Sequence, residues 1–390
     1  MHGHRYGVHR GEQLERTLFM QANAGQHAGA STQRIALFDN IKGILIILVV
    51  LGHMMHPVHN DNLALSATFD IIYLFHMPLF VLISGLFAKS TYRDGKLNTN
   101  RIISFLVLGV IFQATLTAIN GKELSLASLI RFPSAPWYLI AMGWWSAMTP
   151  VLHWLGPLRG IIGSLVLCFA GGMLELEGGF LAISRTVAFL PWFALGYYLS
   201  PRTVAGIKPR RISWIAVAAS ALIVFARIAN QNAYEWFFPM VYGDTPYDST
   251  LVIGMMQKAL AMIAGGIMSI AIIKLAPSRR CWLTTLGERT LQIYILHRLL
   301  RAALTFRTSF YEADYLIDPL LGTESMVLLS AITIAICNSS ALEKTFNGIL
   351  HIDWIGIYHT VKIQNTRNQQ FDIKRYVEKY LQRANRLLAG

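Results

Sequence analysis

The sequence predicts an all-α integral membrane protein, a bundle of about ten transmembrane helices with both termini in the cytoplasm. Of its 390 residues, 54% are hydrophobic and only 14% are charged, whereas about a quarter of the residues in a soluble domain are charged. Apolar runs of about 20 residues recur along the chain, and a helix of this length crosses a bilayer. The net charge of +13 comes mostly from short loops and the two tails. It therefore indicates orientation in a membrane rather than a nucleic-acid partner.

The first apolar run, residues 38–58 (FDNIKGILIILVVLGHMMHPV), carries polar side chains along one face. At 100° per residue, Lys42 and His53 lie about 20° apart around the helix axis, and Asp39 lies about 40° to the other side. The rise from Lys42 to His53 is about 16 Å, whereas Asp39 lies one turn from Lys42 and is expected to pair with it. Each side chain alone could be structural. Their shared face predicts an inward polar stripe that serves a site within the membrane.

Nine further apolar runs are predicted to cross the bilayer. They are residues 66–88, 102–119, 136–155, 160–176, 181–200, 213–230, 252–275, 284–305 and 323–340. An even number of spans puts both termini on one side. The loops on that side hold most of the loop Lys and Arg residues, which predicts that the termini are cytoplasmic. Arg298 and Arg301, near the opposite end of the ninth span, run against this pattern unless they face the bundle interior.

The chain divides into three predicted regions. Residues 1–33 form a polar, mobile cytoplasmic arm, residues 34–340 form the membrane domain, and residues 341–390 form a basic amphipathic tail on the inner membrane surface. The three cysteines are scattered without the spacing of a metal site, so no metal is expected. The sequence contains no recognisable soluble catalytic domain, and any chemistry is therefore expected within the membrane.

The loop after the second span, residues 89–101 (KSTYRDGKLNTNR), carries four basic side chains: Lys89, Arg93, Lys96 and Arg101. They could simply hold the loop on the cytoplasmic side of the membrane. They could also bind the phosphates of a nucleotide-bearing donor, because Arg offers bidentate contacts and Lys offers a point charge. The sequence leaves both interpretations open.

Further polar and aromatic residues are candidates for binding a substrate. His76 and Ser84 lie eight residues apart on the second span, about 80° apart around its axis, and could line the same cavity. His76 could instead satisfy carbonyls freed by Pro78, and Ser84 with Gly85 could permit close helix packing.

Other candidates lie outside the second span. His56 lies one turn beyond His53, and His297 lies in the ninth span. Trp137 could bind the acceptor or mark the membrane interface. The longest predicted outer loop, residues 231–250, contains aromatic side chains such as Tyr242 that could form an interfacial belt or a sugar-binding surface.

Five segments in order carry a family resemblance. FDNIKGILIILVVLGH resembles the first-span signature of the membrane-bound acyltransferase 3 family, a basic residue and a His separated by ten residues, and YLFHMPLFVLISGLF resembles its second-span signature. PWYLIAM, FLPWFALGYYL and LGERTLQIYILH resemble later segments of the same family, so the likeness covers about residues 34–340. The commonest form of the family has Arg where this chain has Lys42. The Lys form, with FHMPLF, is most similar to the sugar O-acetyltransferase branch related to fucose 4-O-acetylase.

The resemblance implies an enzyme that takes acetyl-CoA from the cytoplasm and acetylates a hydroxyl near the opposite face of a bacterial-type inner membrane. The acceptor would be a saccharide or glycolipid of the cell envelope or an exported saccharide. His53 is the expected general base, because a neutral imidazole can accept the hydroxyl proton and a nearby carboxylate could orient it. Lys42 and Asp39 complete the expected catalytic set, and Lys42 also joins the expected donor-binding set. An acyl-histidine intermediate is a competing route.

Two other classes of function also fit a polytopic membrane protein. A secondary transporter or flippase would use His53 and Lys42 in proton coupling. A scaffold or sensor could keep the fold without activity. Formation of an acetyl ester distinguishes the enzyme from both.

Overall fold

The computed structural model describes residues 35–174, 179–230, 237–243, 246–247, 250–349 and 352–357. The predicted arm of residues 1–33 and most of the predicted tail, residues 358–390, lie outside the described residues. The described residues from Leu37 onward belong to one compact unit.

The described chain is mainly helical, as predicted. The helices are α1 (Ala36–Met55), α2 (Leu63–Leu86), α3 (Thr99–Ile119), α4 (Leu126–Ile130), α5 (Trp137–Gly171), α6 (Ile183–Tyr198), α7 (Pro201–Ala205), α8 (Arg211–Ala229), α9 (Phe237–Tyr242), α10 (Leu251–Leu275), α11 (Trp282–Glu288), α12 (Thr290–Arg307), α13 (Leu321–Cys337) and α14 (Ser340–Ile349). Two short antiparallel strands, β1 (Tyr92–Arg93) and β2 (Lys96–Leu97), form a hairpin between α2 and α3.

In the described part of the chain, six helices are long and apolar enough to cross a membrane: α1, α2, α3, α5, α8 and α10. Helix α5 breaks at Gly156, whose φ of 70° and ψ of 173° are not helical, and its two parts correspond to two of the predicted spans. Helices α6 and α13 are shorter, with 16 and 17 residues, and α12 carries several arginines. The count of ten spans and the side of the termini stay predictions.

Helices α1 and α2 form the centre of the bundle. Most residues of both helices are buried, whereas α8 exposes a row of large apolar side chains, including Ile215, Leu222 and Phe225. In a membrane protein, such an outward apolar surface suits contact with lipid. The polar face of α1 is therefore enclosed by protein, while α8 lies at the periphery.

Two glycines bring α2 and α6 into backbone contact. A Cβ atom at Gly85 would lie 2.2 Å from the carbonyl oxygen of Phe193, and one at Gly196 would lie 2.0 Å from that of Leu82. Any larger residue at either position must push the two helices apart. The expectation that Gly85 permits close helix packing is confirmed, and this contact fixes α2 beside the candidate site.

A buried amide anchors the first turn of α1. Asn40 donates through Nδ2 to the carbonyls of Pro277 and Arg279, both at 2.8 Å. Its Oδ1 accepts a hydrogen bond of 2.6 Å from Thr284 Oγ1. A Cβ atom at Gly287 would lie 1.8 Å from the carbonyl oxygen of Asp39, so α1 and α11 also meet backbone to backbone. These contacts fix the register of Asp39 and Lys42 within the bundle.

Candidate functional site

His53 faces a cavity of about 260 Å³ between α1, α2, α6 and α12. The ring is half-buried because its accessible surface opens into this cavity. The polar and aromatic side chains of the wall are His53, His56, Tyr73, His76, Ser134, Trp137, Arg185, Tyr242, Tyr294, Arg298 and Arg301. The cavity could accommodate a polar ligand with apolar faces, which is the chemistry of a saccharide.

His297 packs against His53 from α12. The ring centroids are 5.2 Å apart and the rings are nearly perpendicular, at 88°. His297 Nδ1 lies 2.7 Å from the carbonyl oxygen of Ile293, and because that oxygen can only accept, Nδ1 must carry the proton. In the neutral ring, Nε2 of His297 then has a free lone pair. No partner for this buried atom is found among the described residues.

His76 shows the same arrangement on α2. Its Nδ1 donates to the carbonyl of Ile72 over 2.7 Å, and its Nε2 lies 3.5 Å from the hydroxyl of Tyr242. The bond to Ile72 gives His76 a local structural role, and the wall position gives it access to the cavity. The two interpretations of His76 are therefore compatible.

A second, mainly apolar cavity of about 190 Å³ adjoins the first. Val49, Met77 and Tyr294 line both cavities. Lys42 and Ser84 line the second one, where Ser84 Oγ is 2.6 Å from the hydroxyl of Tyr138. His53 thus lies four residues, or about one turn of α1, from a wall residue that the two cavities share.

The prediction that His76 and Ser84 could line one cavity is wrong. His76 lines the cavity with His53, whereas Ser84 lines the apolar one. Eight residues of helix rise about 12 Å. This distance is longer than either of these small cavities. A small angle around the helix axis is therefore not enough to place two side chains in one cavity.

The predicted ion pair between Asp39 and Lys42 is present. Lys42 Nζ lies 2.7 Å from Asp39 Oδ1. The carboxylate side chain is 4% exposed, while that of Lys42 is 25% exposed and lines the apolar cavity. Asp39 therefore holds the lysine at the end of the apolar cavity that is remote from His53.

The basic loop contributes to an open groove of about 600 Å³. Lys89 and Arg93 line this groove, together with Tyr92, His153, Tyr197 and Tyr198. Lys96 and Arg101 are not among its wall residues.

The partners of these loop residues explain their positions. Lys89 donates to the carbonyl of Leu199 at 2.9 Å, and Arg101 donates to Ser90 Oγ at 3.2 Å and lies over the ring of Phe105. Lys96 pairs with Arg93 across the β hairpin. Only half of the predicted phosphate-binding set lines the groove, and Arg101 points toward Ser90 and Phe105 instead.

The remaining predicted substrate contacts lie around the first cavity. His56 lines it and is exposed. Trp137 is 5% exposed and stacks on Phe189 with ring centroids 5.3 Å apart, so its alternative placement at the membrane interface is wrong. Tyr242 of the predicted outer loop is buried in the cavity wall, which rules out an interfacial role for this tyrosine.

Several wall residues were missed by the sequence analysis as site residues. They are Tyr73, Arg185, Tyr294, Arg298 and Arg301. Arg185 lies 5.5 Å from the ring centre of Trp137, and its Nη2 donates to the carbonyl of Pro133. The sequence offered one signal, two arginines one turn apart within an apolar segment, and the alternative that they face the bundle interior agrees with their place in the cavity wall.

A neighbouring tyrosine stays neutral beside these arginines. Tyr311, in a short 3-10 helix after α12, donates from its hydroxyl to the carbonyl of Met54 over 2.9 Å. Burial raises the pKa of Tyr311 to about 12, although Arg301 and Arg298 act in the opposite direction. The phenol therefore remains protonated at neutral pH and supplies no negative charge to the cavity.

Comparison with known proteins identifies the family. The family model described as an acyltransferase domain matches residues 35–339, most of the chain. Nodulation protein NolL of Sinorhizobium fredii is 55% identical over 67 residues, 16% of this chain and 18% of that protein. Nodulation protein NolL of Mesorhizobium japonicum is 44% identical over 64 residues, 16% of this chain and 17% of that protein. The matched region thus spans less than a fifth of either relative.

No solved structure matches this chain. The family match covers the helices that build both cavities, including α1 with Lys42 and His53 and α12 with His297. It agrees with the predicted resemblance in both identity and extent. The chain belongs to the acyltransferase 3 family and is a membrane acyltransferase.

Proposed function

We propose that the protein is a membrane-embedded O-acyltransferase that moves an acetyl group from acetyl-CoA to a hydroxyl of a cell-envelope or exported saccharide or glycolipid. The observation that carries the proposal is the position of His53, which lines a polar cavity one turn from the wall it shares with an apolar cavity. The apolar cavity suits the uncharged arm of a thioester donor. The polar cavity suits a hydroxylated acceptor.

The reaction requires one proton acceptor at the place where the two substrates meet. The acceptor oxygen attacks the thioester carbonyl carbon and loses its proton to His53, so that a C–O bond forms. Collapse of the tetrahedral intermediate breaks the C–S bond. The proton then passes from His53 to the coenzyme thiolate, and the products are an acetyl ester and free CoA.

His53 is the residue assigned as general base because its ring faces the cavity and no hydrogen bond to another described residue occupies it. His297 serves as its positioning residue. Its own ring is fixed by the bond to Ile293 and packs edge-on against His53. The sequence analysis expects a carboxylate to orient His53. His297 takes this role in the proposal, since no Asp or Glu is among the described residues of the wall.

Lys42 and Asp39 are assigned to donor binding rather than to the reacting carbonyl. The rise from Lys42 to His53 is about 16 Å, too far for both to touch one carbonyl group. Lys42 lies where the apolar cavity ends, and Asp39 holds its ammonium in place. We propose that this end opens to the cytoplasm and that the His53 end faces the outer side of a bacterial inner membrane.

The groove at Lys89 and Arg93 is the proposed site for the donor phosphates. Replacing Arg93 with Ala should raise the KM for acetyl-CoA several-fold, with a larger effect in low salt, because an exposed charge contact is screened by ions. Arg101→Ala is the matched control, since Arg101 is turned toward Ser90 and Phe105. Initial rates at varied acetyl-CoA would measure both values. Equal KM values for acetyl-CoA in wild type and Arg93→Ala would show that Arg93 serves membrane orientation and does not bind the donor.

The proposed function is tested with detergent-solubilised protein, radiolabelled acetyl-CoA and cell-envelope material from a deletion strain. The expected result is a labelled ester in the saccharide or glycolipid fraction, with release of one CoA thiol for each ester formed. The ester should be absent when the purified protein is left out of the reaction. Proton-dependent solute uptake without any labelled ester would instead support a transporter.

A further inference from the structure

The cavity that contains His53 has an excess of positive charge. Arg185, Arg298 and Arg301 line it, and the described part of its wall includes no Asp or Glu. A guanidinium keeps its charge in proteins because its pKa is far above neutral. The wall therefore carries three cations and no fixed anion among the described residues.

Among the residues that the structure describes, two of these arginines are buried without a counterion. Arg298 is 7% exposed and Arg301 is 8% exposed. Within the described residues, neither Arg298 Nη1 nor Arg301 Nε has a hydrogen-bond acceptor. The two side chains lie one turn apart on α12, where like charges repel each other. Because an uncompensated buried charge destabilises a fold strongly, this arrangement needs a negative partner.

The described residues around the arginines do not supply that partner. Tyr311 is neutral, as its raised pKa and its bond to Met54 show. His53 and His56 on the facing wall can carry only zero or positive charge. The described part of the wall thus lacks a negative charge that an anionic ligand would supply.

The arginines lie away from the apolar cavity that is proposed for the donor. Their position therefore distinguishes their ligand from the donor. Arg298 and Arg301 lie eight and eleven residues beyond Thr290, which lines the apolar cavity. On a helix these steps correspond to rises of about 12 and 16 Å. The cationic wall thus lies at the end remote from Lys42, beside His53 and His56.

We propose that the acceptor saccharide carries an anionic group, a phosphate or a carboxylate, and that Arg298 and Arg301 bind it while a neighbouring hydroxyl meets His53. This inference rests on the proposed function and specifies its substrate class. Guanidinium groups bind both anions through paired hydrogen bonds. Holding the anion would also orient the acceptor hydroxyl toward the base.

A binding experiment tests the anion site without requiring catalysis. The melting temperature of the detergent-purified protein is measured with α-D-glucose 1-phosphate and with its neutral counterpart, methyl α-D-glucoside. We expect the phosphate to raise the melting temperature and the neutral sugar to have little effect. Arg298→Gln and Arg301→Gln should each weaken glucose 1-phosphate binding about 10- to 100-fold, the range expected for a lost charge-assisted hydrogen bond.

Arg307→Gln is the matched control, because Arg307 is exposed on the same helix and bonds to the carbonyl of Ala118. It should bind glucose 1-phosphate as wild type does. Arg298→Lys keeps the positive charge but loses the paired N–H donors of the guanidinium group. It provides a second variant if Arg298→Gln does not fold. An equal shift by the neutral sugar, or unchanged binding in both Gln variants, would overturn the anion site.

A second arm separates a saccharide from a lipid as the source of the anion. Mixed micelles containing phosphatidylglycerol replace the sugar phosphate in the same melting experiment. Stabilisation by the lipid but not by glucose 1-phosphate, with loss of the effect in Arg298→Gln, would assign the arginines to a headgroup. That outcome would overturn their role in acceptor binding.

Kinetics separate failure of this inference from failure of the proposed function. With labelled acetyl-CoA and cell-envelope acceptor, Arg298→Gln should raise the acceptor KM and leave the donor KM unchanged. A fall in kcat at constant acceptor KM would mean that Arg298 stabilises the transition state instead, against the proposal. If wild type forms no ester but still binds glucose 1-phosphate through both arginines, the anion site stands and the acyltransfer to a saccharide fails.

Discussion

Replacement of His53 by Ala is expected to lower the rate of acetyl ester formation by a factor of about 10² to 10⁴, the usual contribution of a positioned general base. Two other imidazoles, His76 and His297, are each held by a hydrogen bond from Nδ1 to a backbone carbonyl. His53→Gln should lose as much activity, because an amide keeps the size and polarity but cannot accept a proton. The initial rate of labelled ester formation measures both variants.

The donor and acceptor KM values should change little in these variants if His53 acts in the chemical step. His59→Ala is the matched control. His59 stacks on Phe69 with ring centroids 3.9 Å apart and is not among the wall residues of the cavity. A His53→Ala rate within about threefold of wild type would be inconsistent with general-base catalysis by this residue.

Gly85→Ala is expected to destabilise the bundle by about 1–3 kcal/mol or more, as overpacking of a core does. The added Cβ would lie 2.2 Å from the carbonyl oxygen of Phe193. The obstructing atom belongs to the backbone of α6, so no side-chain rotation can make room. The two helices must separate, and the cavity wall formed by His76 and Arg185 would shift with them. The melting temperature in detergent and the yield of monodisperse protein report this change.

Gly163→Ala provides the control for this substitution. Gly163 lies within α5, and apart from the local backbone of that helix no described atom lies within 4 Å of its Cβ position. Alanine there should leave the melting temperature unchanged or raise it slightly, since Ala favours a helix over Gly by about 1 kcal/mol. If Gly85→Ala melts at the wild-type temperature, the close contact between α2 and α6 is not required for stability.

The sequence predicted the helical architecture well because long apolar runs have few alternatives in a membrane. Local spacing also sufficed for the ion pair between Asp39 and Lys42, since residues three apart on a helix are neighbours. The break of α5 at Gly156 agrees with two predicted spans, as the Gly-Pro pair suggests. In the described part of the chain, six helices rather than ten are long and apolar enough to cross a membrane, because α5 contains two predicted spans and α6, α12 and α13 are too short or too polar.

The site was only partly predictable because it depends on contacts between distant segments. His53 was identified from its spacing to Lys42, but its partner His297 comes from a helix more than 240 residues away. Arg298 and Arg301 run against the distribution of basic residues that predicts the membrane orientation. Their side chains line the cavity, because α12 faces it. The orientation of Arg101 toward Ser90 also depends on how the loop folds back on α3. None of these contacts has a local signature in the sequence.

The position of a bound donor relative to His53 tests the central claim most directly. An experimental structure with a non-hydrolysable acetyl-CoA analogue would give the distance from its acyl carbon to the His53 ring. We predict about 4–6 Å, enough for one acceptor oxygen to bridge base and carbonyl, with the uncharged arm in the cavity lined by Lys42 and Ser84. An acyl carbon more than about 10 Å from the ring, beyond the reach of direct proton transfer, would contradict the account.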